Sequence, residues 1–294
     1  MRLDAPLISF GAPIVDNLGV IQPFPALSML AGLCANALGY DHRDADKLQS
    51  LQQRIIYAAR CDRPGKRLED YQTVDLGQEF MLDKNTAWTT RGRIESRAGG
   101  TAKTGTHIRQ RDYWVDSIHT VAISFADDVA ENNSSALKPN ANKPLHSQQT
   151  ETPALQKIEE ALKTPERPLF IGRKCCLPSG PLFLTRTEED SPLSALCNHP
   201  RIPKNRSENG EKSKLSAWWM ETVEQKIKNL KGDAPWIPTR SRLISVTDER
   251  DWINQLHGGS RLMRHGLIDP PYESNTESKD VQQAYTNQQE ADND

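Results

Sequence analysis

Apolar positions in this chain change their period several times, and each change marks an element. Leu3 to Phe10 is an apolar run interrupted by Pro6, which predicts a first strand with a break in it. In FPALSMLAGLCANALGY, Leu27, Leu30, Cys34, Ala37 and Leu38 recur at helical spacing, with Pro25 at the start and Gly39 just past the end. A second helix is expected from Asp44, a good N-cap, through Leu48 and Leu51 to Gln53, followed by a strand over Arg54 to Cys61. Trp114 to Phe125 reads as one strand whose inner face is Val121, Ile123 and Phe125, with His119 in phase as a satisfied core histidine.

Beyond that strand the pattern loosens. Residues 127–151 are rich in Asn, Ser and Gln and read as a polar insertion. Thr152 and Pro153 open a third helix, with Leu155, Ile158 and Leu162 on one face. Leu169 to Ile171 and Leu182 to Leu184 are short strand-like pieces, separated by the turn GRKCCLPSGP. Pro200 to Ser213 reads as a charged linker. Leu215, Trp219, Val223, Ile227 and Leu230 trace an amphipathic helix, Leu243 to Val246 a strand, and residues 269–294 a disordered polar tail.

The order β-α-β, arm, β-α-β is the split βαβ arrangement. The expected fold class is therefore α+β: a ferredoxin-like, RRM-like βαββαβ core with a long inserted hairpin and an irregular C-terminal extension. In domain terms this gives a ferredoxin-like unit over 1–187 carrying the arm at about 75–113 and the insertion at 127–151. An extension packed on the core follows over 188–268, then the tail. Such an open antiparallel sheet is a common RNA-binding platform, though the superfold hosts many functions.

Composition changes this picture at one place. The chain has 37 Lys and Arg against 39 Asp and Glu, a formal net charge of −2, so it is no general nucleic-acid coat. Against that background, Trp88 to Tyr113 gathers Arg91, Arg93, Arg97, Lys103, Arg109 and Arg111 around Gly99 and Gly100, opposed only by Glu95 and Asp112. A cationic arm between two strands suits a phosphate backbone, and five of its six cations are Arg, which pairs phosphate bidentately and stacks on bases. Tyr113, Trp114 and Trp88 suit either base stacking or core packing. In the later turn, Gly172, Arg173 and Lys174 offer backbone N–H groups and two cations to a phosphate, with Cys175 and Cys176 packing beneath.

Other chemistries find no foothold in the sequence. Five cysteines without CxxC spacing read as reduced cytosolic thiols, and there is no HxxxH, GxSxG or Walker-type loop, so no metal or cofactor is expected. No run approaches a membrane span and the N-terminus carries no secretory pattern; the expected location is cytoplasmic.

Several blocks carry a resemblance. They are LDAPLISFG (Leu3 to Gly11), FPALSMLAGLCANALG (Phe24 to Gly39), DYQT (Asp70 to Thr73), WTTRG (Trp88 to Gly92), RAGG (Arg97 to Gly100), HIRQRDYWVD (His107 to Asp116), PLFIGRKCCLPSGPLF (Pro168 to Phe183) and VTDERDWINQLHGG (Val246 to Gly259). In that order they resemble the CasD family of type I-E CRISPR Cascade subunits, within the repeat-associated mysterious protein (RAMP) superfamily. The resemblance implies a noncatalytic RNA-binding subunit whose thumb, matched here by the Arg-rich arm, holds the 5′ handle of the crRNA. It also implies contacts with the Cascade backbone subunit and the large PAM-reading subunit, and only indirect dealings with target DNA. His107, Arg109 and Arg111, on the returning strand of the arm, are the implied RNA contacts beside the other arm cations. Asp248, Arg250, Asp251 and Trp252 are expected to form an internal ion-pair and aromatic anchor. The alternative is a metal-independent endoribonuclease acting on repeat RNA, as in type I-C relatives, with Tyr113, His107 or His119, and Lys174 as its nominees.

Overall fold

A computed structural model of the chain describes residues 1–14, 17–75, 86–88, 94–96, 106–126, 153–202, 214–221, 238 and 240–272. Among these, α1 (Leu27–Ala37) and α2 (Ala45–Arg54) form where the apolar spacing predicts them, and Gly39 takes the left-handed φ of 80° that ends α1. β1 (Arg2–Asp4) and β2 (Leu7–Ile8) are the two halves of the first apolar run, parted at Pro6. β3 (Leu18–Gly19) follows, and after the helices come β4 (Ile55–Arg63) and β5 (Lys66–Asp75).

The arm contains β6 (Thr86–Trp88) paired antiparallel with β7 (Ile94–Ser96). β8 (Thr106–Val115) and β9 (Ile118–Phe125) replace the single strand expected over Trp114 to Phe125. Asp116 has a φ of 55°, a turn conformation that Asp tolerates, so the chain reverses there and Trp114 belongs to a different sheet from Val121. Then come α3 (Leu155–Lys163), α4 (Pro192–Asn198), β10 (Leu215–Met220), β11 (Ser241–Val246), β12 (Arg250–Asp251), β13 (Leu256–His257) and β14 (Arg261–Ile268).

The main sheet has the order β1-β9-β4-β10-β14-β11, antiparallel throughout. One face, with Tyr57, Ala59, Val121 and Trp218, packs on α1 and its neighbours; the other, with Ala58, Ala217 and Trp219, packs on Leu193 and Leu196 of α4. That double cover corrects the amphipathic helix expected from Leu215: its first six residues are a central strand. Adjacent Trp218 and Trp219 are both buried because they point to opposite faces. The remainder of that expected helix, residues 222–230, lies outside the described residues, as does the 269–294 tail beyond Tyr272. The supposedly irregular C-terminal extension therefore supplies three strands of the main sheet.

The fold is mixed α and β with antiparallel sheets, and β1-α1-β4-β9 follows the first half of the expected βαββαβ order. The second half differs. Leu169 to Ile171 and Leu182 to Leu184 are not strands, because Pro168, Gly172, Pro178, Gly180 and Pro181 interrupt any ladder. Their segment still runs beside β1, with Arg2 N–H donating to Leu182 C=O (2.8 Å) and Ser179 N–H to Asp4 C=O (2.8 Å). Between α3, α4 and β9 lies a cavity of about 160 Å³ lined mainly by apolar side chains, Ile123, Leu155, Ile158 and Phe183 among them.

A second sheet roots the arm. β8 pairs antiparallel with β5 over all ten residues of each strand, from Lys66 with Val115 to Asp75 with Thr106. Its other edge takes β2 antiparallel and β3 parallel. The two strands that carry the arm run over Lys66–Asp75 and Thr106–Val115, so its root starts before the 75–113 window expected for the arm.

Candidate nucleic-acid interface

Pleating decides which side chains share a face of the arm root. Residues 109, 111, 113 and 115 of β8 alternate with 108, 110, 112 and 114, and the register places Gln72, Asp70, Leu68 and Lys66 opposite the first set. One face therefore carries Arg109 and Arg111 as a cationic row. Arg109 is exposed and Arg111 half-buried, and neither has a hydrogen bond or ion pair among the described residues. Lys66 extends the row from β5 and is exposed. It was not among the expected contacts.

Tyr113 sits on the same face but is only 3% exposed. Arg173 lies over its ring at 4.8 Å from the centroid, and Cys175 Sγ is 3.5 Å from its hydroxyl. Burial pushes the phenol's pKa up, with Cys175 adding to the shift. Expected as a possible stacking surface for RNA, Tyr113 is instead covered by protein.

The GRKCC turn is built against the arm root. Ser9 N–H donates to Ile171 C=O (3.1 Å), Ile171 N–H to Cys176 C=O (2.8 Å) and Cys176 N–H to Arg173 C=O (2.9 Å). Gly172 has a φ of 96°, and a Cβ there would lie 1.9 Å from the Ser9 carbonyl oxygen, so only glycine fits. Arg173 Nη1 donates to Asp112 C=O (2.6 Å) and Nη2 to Gly19 C=O (2.9 Å). The expected phosphate contact is thus engaged by backbone and ring, whereas Lys174 is exposed and has no partner among the described residues. Cys176 packs beneath the turn, its thiol pushed up to about 12 mainly by burial; Cys175 is exposed.

Of the remaining expected contacts, His107 belongs to β8, and Arg91, Arg93, Arg97 and Lys103 lie outside the described residues. His119 is a core residue, 2% exposed, edge-on to Phe10 at 4.8 Å, with Nε2 2.8 Å from Ser117 Oγ. Burial holds its pKa down to about 3. The Asp248 anchor is present: Asp248 pairs with Arg261 at 2.6 Å, and Trp252 is buried with Arg250 at 5.1 Å from its ring centroid. Arg261 is the partner that sequence blocks did not reveal. No group of three metal-ligating side chains occurs among the described residues, and no described helix is long and apolar enough to cross a membrane.

The sequence of this mixed α and β chain falls within a class of CRISPR-associated proteins. The family model described as "CRISPR-associated protein (Cas_Cas5)" matches residues 1–264, and the chain belongs to that family. More particularly, it is similar to the CRISPR system Cascade subunit CasD of Escherichia coli (strain K12), at 27% identity over 202 residues, covering 69% of this chain and 76% of that protein. Among solved structures, a chain of a "CRISPR RNA-guided surveillance complex" shares the fold with a TM-score of 0.58 at 21% identity, over 92% of this chain and 89% of that one. A second, titled "Crystal structure of Cas protein", does so with a TM-score of 0.51 at 19% identity, over 92% and 96%.

Proposed function

We propose that this protein is a noncatalytic RNA-binding subunit of a Cascade-type surveillance complex, gripping the 5′ handle of the crRNA with its arm. The supporting observation is the open row of Arg109 and Arg111 on the arm root, in a chain whose family and curated relative are CRISPR proteins. Two guanidinium groups without partners among the described residues, on a strand leading into a segment with four further cations, suit the phosphates and π-faces of a single strand. In this reading the neighbours are the backbone and large subunits, target DNA is met only through the assembly, and the setting is cytoplasmic. Contacts from Arg91, Arg93, Arg97, Lys103, His107 and Lys174 belong to the same proposal.

The endoribonuclease reading has less support. Two of its nominees, His119 and Tyr113, are buried. Fluorescence anisotropy with a labelled handle RNA tests the main reading. Arg109→Gln with Arg111→Gln should weaken binding and reduce the slope of log K against log salt by about 1.4, two phosphates' worth on a single strand. Unchanged affinity and slope would refute it.

A further inference from the structure

The GRKCC turn contains two adjacent cations in opposite situations. Lys174 is exposed and unpaired among the described residues. Arg173 spends its fork on two backbone carbonyls, Asp112 at 2.6 Å and Gly19 at 2.9 Å, and sits over the Tyr113 ring at 4.8 Å from its centroid. Those two carbonyls bracket one residue. Gly19 is the in-register partner of Arg111 on β3, and Asp112 follows Arg111 on β8. The approach is so close that a Cβ on Gly19 would lie 2.6 Å from Arg173 Nη2 and 3.4 Å from Arg111 Cγ.

From this geometry we infer that Arg173 is a positioning residue for RNA binding: it clamps β3 to β8 on either side of Arg111 and thereby aims that guanidinium, while Lys174 is the turn's RNA contact. The inference rests on the RNA-binding reading above and divides its labour. The clamp itself is held from behind, because Gly172 is locked against the Ser9 carbonyl and Ser9 N–H bonds Ile171. A lysine at 173 would keep the charge. It has neither a planar fork to span two carbonyls nor a flat face for Tyr113, so charge alone does not replace it. Asp112 is held a second time through its carboxylate, which accepts from Arg67 at 2.7 Å, so the strand is gripped at backbone and side chain.

A double-mutant cycle on the full chain tests this, with handle-RNA affinity as the readout and thermal melting as a check that each variant is folded. Arg173→Lys should weaken binding about tenfold in the otherwise unchanged protein, the scale of one lost charge-assisted hydrogen bond. In an Arg111→Gln background it should cost less than about twofold, since the group it positions is already gone. Amide hydrogen exchange in β3 and β8 should quicken in Arg173→Lys and stay unchanged in Lys174→Gln. Three results overturn the inference: Arg173→Lys binding as tightly as the parent, an equal loss in both backgrounds, or unaltered exchange in β3 and β8. A parent protein that fails to bind handle RNA would sink the RNA reading, and the exchange experiment would still decide whether Arg173 clamps the strands.

Discussion

Replacing Asp248 with alanine should be among the most damaging single changes in this fold. Its carboxylate is fully buried and makes three bonds: Oδ1 accepts from Arg261 Nε at 2.7 Å, and Oδ2 from Arg261 Nη2 at 2.6 Å and from Leu27 N–H at 2.9 Å. The last bond caps α1 from a distant part of the chain, because the N-cap residue Ala26 has no side-chain acceptor to offer. Arg261 also donates to the Tyr57 hydroxyl at 2.9 Å, which in turn donates to Pro25 C=O at 2.7 Å. Asp248→Ala would therefore leave a guanidinium only 9% exposed without its counter-charge, and an orphaned helix N–H. Breaking a buried pair from one side costs about 3–5 kcal/mol, and losing a cap about 0.5–2 kcal/mol. The two overlap on one side chain, so about 4 kcal/mol is expected, a large part of the roughly 5–15 kcal/mol that holds a typical domain. Urea unfolding followed by tryptophan fluorescence would read this as a lower midpoint at constant m-value. Asp248→Ala with Arg261→Met should recover at least half of the loss, because two apolar groups leave no buried charge unpaired. A loss under about 1 kcal/mol for Asp248→Ala, or a double variant no better than the single, would refute this account.

Three further outcomes follow from the same packing. His119 has a folded pKa of about 3 against an unfolded value near 6.5 because it is buried, so the unfolded chain binds more protons between those values. Its contribution is complete above pH 6.5 and is lost as pH falls toward 3. At pH 5 the loss is about 2 kcal/mol, and His119→Gln should flatten that part of the stability curve; an unchanged pH dependence would contradict the burial argument. Gly172→Ala should cost at least about 3 kcal/mol, through its positive φ and the collision with Ser9, and should lower the melting temperature; a melting point within a degree of the parent would show that the turn yields. Arg60 is fully buried and donates to Leu196, His199 and Pro200 carbonyls at 2.6 Å each while pairing with Asp62 at 2.8 Å. Arg60→Ala should destabilise by at least about 3 kcal/mol in urea unfolding, since it uncaps the end of α4 and strands Asp62.

Legibility of the fold tracked how local its causes were. α1, α2 and β4 follow from apolar spacing, and α1 also from Pro25 and Gly39 at its ends; Asp44 stands at the N-cap of α2 but its carboxylate accepts from Asp41 N–H and Lys47 rather than from the helix. β10 failed the same reading because Leu215, Trp219 and Val223 happen to lie at helical spacing. What makes the segment a strand is its place between β4 and β14, supplied by pairing partners more than 40 positions away on either side. The adjacent pair Trp218 and Trp219 was the one local hint, since two neighbouring large aromatics are both buried more readily on a strand than on one face of a helix. The break at Asp116 was hidden for a different reason: a single residue with positive φ reverses the chain without Gly or Pro to announce it.

The site shows the same divide within one residue type. A cluster of arginines in a chain of net charge −2 is visible in composition, and it pointed to the arm. Composition does not separate an arginine that faces solvent from one that holds the fold together. Arg60, Arg173, Arg201 and Arg261 all donate to carbonyls, carboxylates or a phenol at the ends and crossings of elements. Arg60 lies 136 positions from Leu196 and Arg173 lies 154 from Gly19, so no sequence window holds both partners. Arg109 and Arg111 differ from these four in having no acceptor among the described residues. In the proposed reading, an arginine is left to meet RNA where the fold does not use it. That is why Arg173, in the most recognisable motif of the chain and beside an exposed lysine, looks like a ligand in the sequence and is a clamp in the structure.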